Sequence, residues 1–565
     1  MLWLAVRGAY AAIHLVDART EIDGVRAALL DGNAERAREG LAALRRETSA
    51  ARHMTHDPLW WTAARVPVLG RSVRVVRGVA VAADELATGP VAELVEVGDA
   101  IAPSRLRVRG DTVAIEPLRR AAPRLESAHA GTVRVSKGLR DLPAGGVPGP
   151  LDEVRRSMLR SVDGLGGQTA TAAAFARIAP GMLGGDGPRR YLLAVQNNAE
   201  ARATGGLLGA YGIIEADRGR LRLTKLGTNS ELHDTFPRPV VDLGADFTNR
   251  YRRFGADSVW LQANMSPHFP YASTIWAALY RKMTGVVLDG TIAIDPVGMA
   301  EILAVTGPAR LPSGIEVNAG NVVDLTMRDA YARLRDTAVR DAFLQRVARV
   351  VYDRLVSGSG DPRALVSALA RAAGGEHLQL AAARPDEAAV LAGLPIGGVL
   401  PDQPGPYVDV VTQNPSGNKL DFYLRRGVTY SIGPADAAGE RRARLRVVLR
   451  NLAPPRGLPA YVVGRLDRPG GIPDIPGESR TYVSVYAGLG AGLSAARLDG
   501  RPVEVESELE RGHPVFSLYV EIVPGGQAVL DFEIVETAQG PAQPVVGRQA
   551  QVTPDRVRVE VREDP

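Results

Sequence analysis

The residues of this chain best suited to chemistry on an anion are Arg202 and the run Arg333, Arg335, Arg340, Asp341 and Arg346. Guanidinium is planar, always charged and matched to phosphate oxygens, so several arginines gathered at one bend grip a pyrophosphate. Such a bend is predicted in Val322 to Leu355, where Asp336-Thr337 stops one helix and caps the next. Arg333 and Arg335 then lie near Arg340 and Asp341. The competing reading is a solvated helix pair with Asp–Arg partners. A second constellation is Arg190 to Gly212, RYLLAVQNNAEARATGGLLGAYG. Its buried strand delivers Gln196, Asn197, Asn198, Glu200 and Arg202 to a C-terminal end, where ligands of α/β sheets bind. Gly205-Gly206 lets backbone approach closely. An anion or sugar site and a polar loop held by its own side chains are equally open, and in the first case Arg202, Arg333, Arg335 and Arg340 form one site. A third stretch, Asn264 to Pro308, ends a strand at Asp295-Pro296, where the carboxylate either helps hold a metal or caps the next helix.

Three kinds of element must position these residues, which makes the chain a multi-domain α+β protein. Residues 18–184 are rich in Ala, Arg, Leu and Glu. There Ala34, Ala37, Leu41, Leu44, Thr48 and Ala51 form a stripe at helical spacing that Asn33 caps, which predicts a helical bundle or stalk. Further helices are expected near 71–88, 115–130 and 150–178. The cluster Gly184-Gly185-Asp186-Gly187-Pro188 marks a boundary. Residues 185–430 alternate strands (190–196, 207–216, 220–226, 290–294) with helices (270–284, 296–305) and read as an α/β domain. Residues 431–540 show period-two strands and read as a β-sandwich, and 541–565 as a loosely held polar tail.

Composition narrows the field. Lys plus Arg is 68 against 63 for Asp plus Glu, a difference of 68 − 63 = +5 spread along the chain, so nucleic acid is not the expected partner. The chain has no cysteine, which excludes disulfides, thiol catalysis and cysteine-ligated metals. No P-loop, dinucleotide fingerprint, zinc-protease helix or nucleophile elbow occurs. Leu2 to Val16 is apolar but too short for a complete span and contains Arg7 and His14. It is read as the remnant of a membrane anchor, residues 1–17, in preference to a helix of the N-terminal domain.

The phrases RYLLAVQNNAEARATGG, NMSPHFP, DGTIAIDPVGMAEILAVTGP and QNPSGNKLDFYL resemble a bacterial envelope family catalogued as domain of unknown function 4012, in which a membrane helix precedes a helical region. The resemblance implies an anchor at the N-terminus and a protein on the extracytoplasmic face of the cell membrane. A looser resemblance, through LDGTIAIDPVGMAEILAVTGPARLP and DAYARLRDTAVRDAFLQRVARVV, is to the LytR-CpsA-Psr glycan phosphotransferases, which use magnesium and arginines on polyprenyl pyrophosphate carriers. It implies a LytR-CpsA-Psr-like central domain acting on a polyprenyl-linked or cell-wall glycan. Arg333, Arg335, Arg340, Arg346, Asn197 and Asn264 would bind pyrophosphate, Arg202 and Asp341 would be catalytic, and Asp295 would hold Mg2+. Where that family carries a Pro-Arg-Asp motif, this chain has Thr228-Asn229-Ser230-Glu231, with no arginine. Two classes of function follow: a protein that binds, and in its enzymatic form transfers, a polyprenyl-pyrophosphate-linked glycan, and a non-enzymatic extracytoplasmic scaffold or glycan-binding protein.

Overall fold

The computed structural model describes residues 2–30, 33–67, 69–100, 107–109, 111–232, 235–358, 360–537, 539 and 543–562. They form two compact units, Met1–Pro188 with Ala216–Arg220, and Arg189–Glu215 with Leu221–Pro565.

The first unit is built from helices, chiefly Leu2–Leu30, Ala34–Met54, Leu69–Thr88, Pro90–Ala100, Ile115–Arg140 and Gly149–Met182. Asn33 caps the second of these by accepting from the Arg36 N–H, and Ala37, Leu41, Leu44, Thr48 and Ala51 are its buried face. Small side chains let helices approach closely, and Ala18, Val25 and Ala28 of the first helix pack with Ala37 and Leu41 of the second in one core. Leu2 to Val16, read above as an anchor remnant, forms the first half of that 29-residue helix. No helix among the described residues is long and apolar enough to cross a membrane.

The second unit begins with β1 (Arg189–Arg202), β2 (Gly205–Asp217), β3 (Arg220–Thr228), β4 (Gly290–Ile294) and β5 (Leu378–Ala382), in the sheet order β3-β2-β1-β4-β5. β1 and β4 are parallel and β4 and β5 antiparallel. Alternation along β1 sends Leu192 and Ala194 to one face, against helix Phe269–Thr284 with Ile275, Trp276 and Leu279. Val195 lies on the other face, against helices Pro296–Thr306 and Thr337–Val356 with Ile302, Phe343 and Val347. Helices therefore cover both faces of the sheet.

The chain enters the sandwich at β6 (Tyr407–Gln413), earlier than the boundary read near 430. β6 is buried at every position, so it lacks the period-two alternation that marks the later strands. The five-stranded sheet runs β11 (Glu506–Glu510), β12 (His513–Ile522), β9 (Ser479–Ala487), β6, β14 (Val545–Val546). The facing sheet includes β10 (Gly492–Leu498), β13 (Gln527–Thr537), β8 (Glu440–Asn451), β7 (Leu424–Ala435) and β15 (Arg556–Val561), in that order. Within the stretch read as a loose tail, residues 543–562 thus supply a strand to each sheet. Arg426 holds Asp555 at 2.5 Å, and Gln549 bonds Thr412.

Candidate functional site

β1 does not stop at Gln196 but continues to Arg202, leaving Ala203-Thr204 as the turn into β2. A Cβ on Gly206 would lie 2.1 Å from the Asn197 carbonyl, and one on Gly205 would lie 2.4 Å from Gln196 Oε1. The close approach that these glycines permit is that of their own hairpin.

Along the extended strand the polar side chains are buried and engaged. Gln196 donates to Thr204 Oγ1 at 3.0 Å. Asn197 donates to the Tyr331 hydroxyl at 2.6 Å. Asn198 donates to Asp295 Oδ2 at 2.8 Å and to the Ala550 carbonyl at 3.1 Å. Asn264 donates to Thr204 Oγ1 and to the Gly206 carbonyl, which ties the segment before helix Phe269–Thr284 to the hairpin.

The segment Asn414 to Asp421 of QNPSGNKLDFYL closes over the strand end. Asn414 N–H donates to the Ala201 carbonyl, and Arg202 Nη1 donates to the Asn414 carbonyl at 2.9 Å. Ala201 N–H donates to Asp421 Oδ2 at 2.8 Å. Lys419 Nζ bonds Glu200, whose other oxygen lies 3.7 Å from Arg202. All four charges are buried. Burial opposes the Lys419 ammonium, but Glu200 and the nearby tyrosines hold its pKa above the usual value. Burial also raises Asp421 to about 6 and lowers Arg202.

Beyond Lys419 the chain of contacts reaches the elbow. Tyr331 and Tyr461 stack with centroids 5.6 Å apart and an interplanar angle of 8°. Lys419 Nζ lies 5.3 Å from the Tyr331 ring, and the Arg340 guanidinium lies 4.2 Å from Tyr461 and 5.1 Å from Tyr331. Asp336 caps helix Thr337–Val356 as its sequence position predicts, accepting from Val339 N–H.

Arg202 and Arg340 therefore stand at the two ends of one contact chain, through Glu200, Lys419 and the tyrosines, and not in one open anion site. Arg340 donates to Thr337 Oγ1 at 3.2 Å. Arg333 is 76% exposed at its side chain and pairs with Asp329, while Arg335 and Arg346 are exposed on the surface. Asp341 is partly buried, and burial raises its pKa against the pull of Arg340 and Lys419.

Asp295 is a helix cap. Its Oδ1 accepts from Gly298 N–H at 2.8 Å, and its Oδ2 takes Asn198 and His377 Nδ1, the latter at 2.6 Å. Burial works against the His377 imidazolium, yet Asp295 holds its pKa above the ordinary value. Magnesium asks for a near-octahedral set of oxygens. Here N–H donors already engage both oxygens of Asp295, and no group of three His, Asp or Glu side chains among the described residues is arranged to hold a metal. A shallow cavity lined by Pro239, Val240, Asp242, Gly244, Thr248 and Arg252 contains none of the candidate residues.

Lys419, Asp421, Tyr331 and Tyr461 were not singled out from the sequence, although two of them lie in the quoted phrase QNPSGNKLDFYL. Their signal was a lysine in a chain whose positive charge is almost wholly arginine.

The model of a family described as "Protein of unknown function (DUF4012)" matches residues 186–331, from the turn before β1 to Tyr331. Among curated proteins nothing matches the chain. A solved Legionella pneumophila protein named for nutrient binding aligns over 24% of this chain and 44% of its own, so under half of that protein is spanned. The identity is 5% and the TM-score 0.16, too thin a likeness to carry an argument. The LytR-CpsA-Psr resemblance is not among the matches.

Proposed function

We propose, taking as premise that residues 186–331 belong to the DUF4012 family of proteins of unknown function, that the protein is a non-enzymatic scaffold or glycan-binding protein of the cell envelope, held on the extracytoplasmic face. In this reading a LytR-CpsA-Psr-like core has been fused to a sandwich and has lost transfer chemistry. One observation carries it: the charged groups at the C-terminal end of β1, where a transferase would need them free, are buried and bonded to the segment that joins the sandwich strands β6 and β7. A second contact set has the same character. Arg250 reaches Glu508, Ser484 and Ser517, and Tyr251 and Tyr486 both donate to Glu510.

A second reading, binding of a polyprenyl-pyrophosphate-linked glycan, is favoured by Arg340, whose buried guanidinium rests on two tyrosines. Titration of the full chain with a polyprenyl pyrophosphate, with and without Mg2+, separates the two. The scaffold reading expects neither saturable binding nor turnover. Binding that Arg340→Ala weakens by about 1.5–3 kcal/mol, with the fold intact, would replace it by the second reading.

A further inference from the structure

At one end of the first unit the chain turns from helix Ala34–Met54 into helix Leu69–Thr88 through the short helix Pro58–Ala63. Asp57 caps that short helix and bonds Arg7 at 2.5 Å, which fixes the start of helix Leu2–Leu30 at the same end. Trp60 is buried in a small core with Val73, against which Leu4 packs, and so pins the turn. Its neighbours point outward. Leu59 is 55% exposed, Trp61 50% and Val66 47%, and Trp3, whose ring lies 5.3 Å from the Arg7 guanidinium, is 54% exposed. Four large apolar side chains left in water at one end of a helical unit mark a surface that meets another molecule or phase.

The charge around them has one sign. From Pro58 to Ala83 the sequence holds Arg65, Arg71, Arg74 and Arg77 and neither Asp nor Glu. Among the described residues none of these arginines has an ion-pair partner. Arg65 and Arg74 are exposed, Arg71 donates to the Gly145 carbonyl at 3.0 Å, and the Arg77 guanidinium lies 4.3 Å over the Trp61 ring. Asp57 is taken by Arg7, and the loop 141–149 that Arg71 reaches brings a single carboxylate, Asp141. His56 feels the same field: partial burial, then the charges of Arg77 and Arg52, hold its pKa below the ordinary value.

We propose that this end of the helical unit docks on an anionic lipid surface. Leu59, Trp61, Val66 and Trp3 enter the boundary between headgroups and acyl chains, where tryptophan is a favoured residue, and Arg65, Arg71 and Arg74 meet lipid phosphates. The single sign of the patch disfavours a second copy seated on the same face, because the two would repel. Aliphatic Leu59 and Val66 find no partner in a nucleic-acid backbone, and the Trp61 ring already carries Arg77 on one face, where a base would stack. A bilayer satisfies both halves of the surface, the apolar groups and the unpaired guanidinium groups. The patch belongs to the first unit, so its test is independent of the charges at the end of β1.

Flotation of the full chain with vesicles of phosphatidylcholine, alone or with about 30% phosphatidylglycerol, tests this in salt of about 50 and about 500 mM. The expected result is binding to the anionic vesicles that high salt weakens and that pure phosphatidylcholine does not support. Arg65→Ser and Arg74→Ser should each lower the affinity about fivefold, the worth of one charge near such a surface. Leu59→Ser combined with Val66→Ser should lower it about tenfold or more, and leave thermal unfolding unchanged because both side chains are exposed. Arg501→Ser, at an exposed position of the second unit, should change nothing. No binding to the anionic vesicles, binding that depends on neither or only one of the two sets of residues, or an equal loss with Arg501→Ser would overturn the proposal. So would a chain that ignores vesicles and instead binds an acidic protein through the same arginines.

Discussion

Asp421 shows how burial at the end of β1 changes what a carboxyl does. In an unfolded chain it titrates near 4, whereas in the fold burial raises it to about 6, despite N–H bonds from Ala201 and Asn414 that favour the anion. The folded state holds the proton more tightly than the unfolded one. Its contribution to stability is therefore full below pH ~4 and is lost as pH rises through ~6. Asp409, also raised to about 6 by burial, acts in the same direction, and so does Glu536, raised to about 7. Asp421→Asn removes the titration while keeping an oxygen for the Ala201 N–H. Denaturant unfolding of this variant should show a shallower dependence on pH between about 4 and 7, and a gain on the order of 1–2 kcal/mol at pH 8. An unchanged pH dependence would mean that Asp421 is not desolvated as described.

At the scale of elements the hairpin β1–β2 decides the character of the site. Gly206→Ala would drive a methyl carbon to 2.1 Å from the Asn197 carbonyl, and backbone cannot yield there without parting the strands. It should cost about 2–3 kcal/mol or more by equilibrium unfolding, the range of overpacked or strained sites. If the glycines served an external ligand instead, the variant would keep its stability and lose only binding. Much of this element structure was legible in the sequence. The stripe from Ala34 to Ala51, the caps Asn33 and Asp336 and the strand at 290–294 are local signals, set by spacing and short side chains. The extension of β1 through Asn197 to Arg202 was not legible, because a run of polar residues reads as a loop until its partners are known. Those partners, Asp421, Asn414 and Ala550, lie more than 200 residues away. β6 was missed for the converse reason: burial on both faces removes the alternation that identifies a strand. The tail strand RVRVEV carries the same period-two alternation that identifies the strands of 431–540, so it was legible in the sequence and was passed over for the polar, Pro-containing stretch around it.

For the molecule as a whole, the α/β layer and the sandwich of the second unit are joined through buried charge, and Glu200 with Lys419, both under one-tenth exposed, is the pair at the end of β1. Breaking a buried pair strands an uncompensated charge and costs about 3–5 kcal/mol, whereas removing both partners costs far less. Arg202, 3.7 Å from Glu200, softens the loss of Lys419 but not that of Glu200. These charges sit where a catalytic strand end would keep free groups, so their role decides between scaffold and enzyme. The most direct measurement is a double-mutant cycle by denaturant unfolding with Glu200→Gln, Lys419→Met and the two combined, with pyrophosphate affinity measured on each. The account predicts that the single variants are strongly destabilised, that they couple by about 2 kcal/mol or more, and that no variant changes a pyrophosphate affinity the intact chain lacks. Single variants that keep their stability and add without coupling, while abolishing a measurable pyrophosphate affinity, would contradict it.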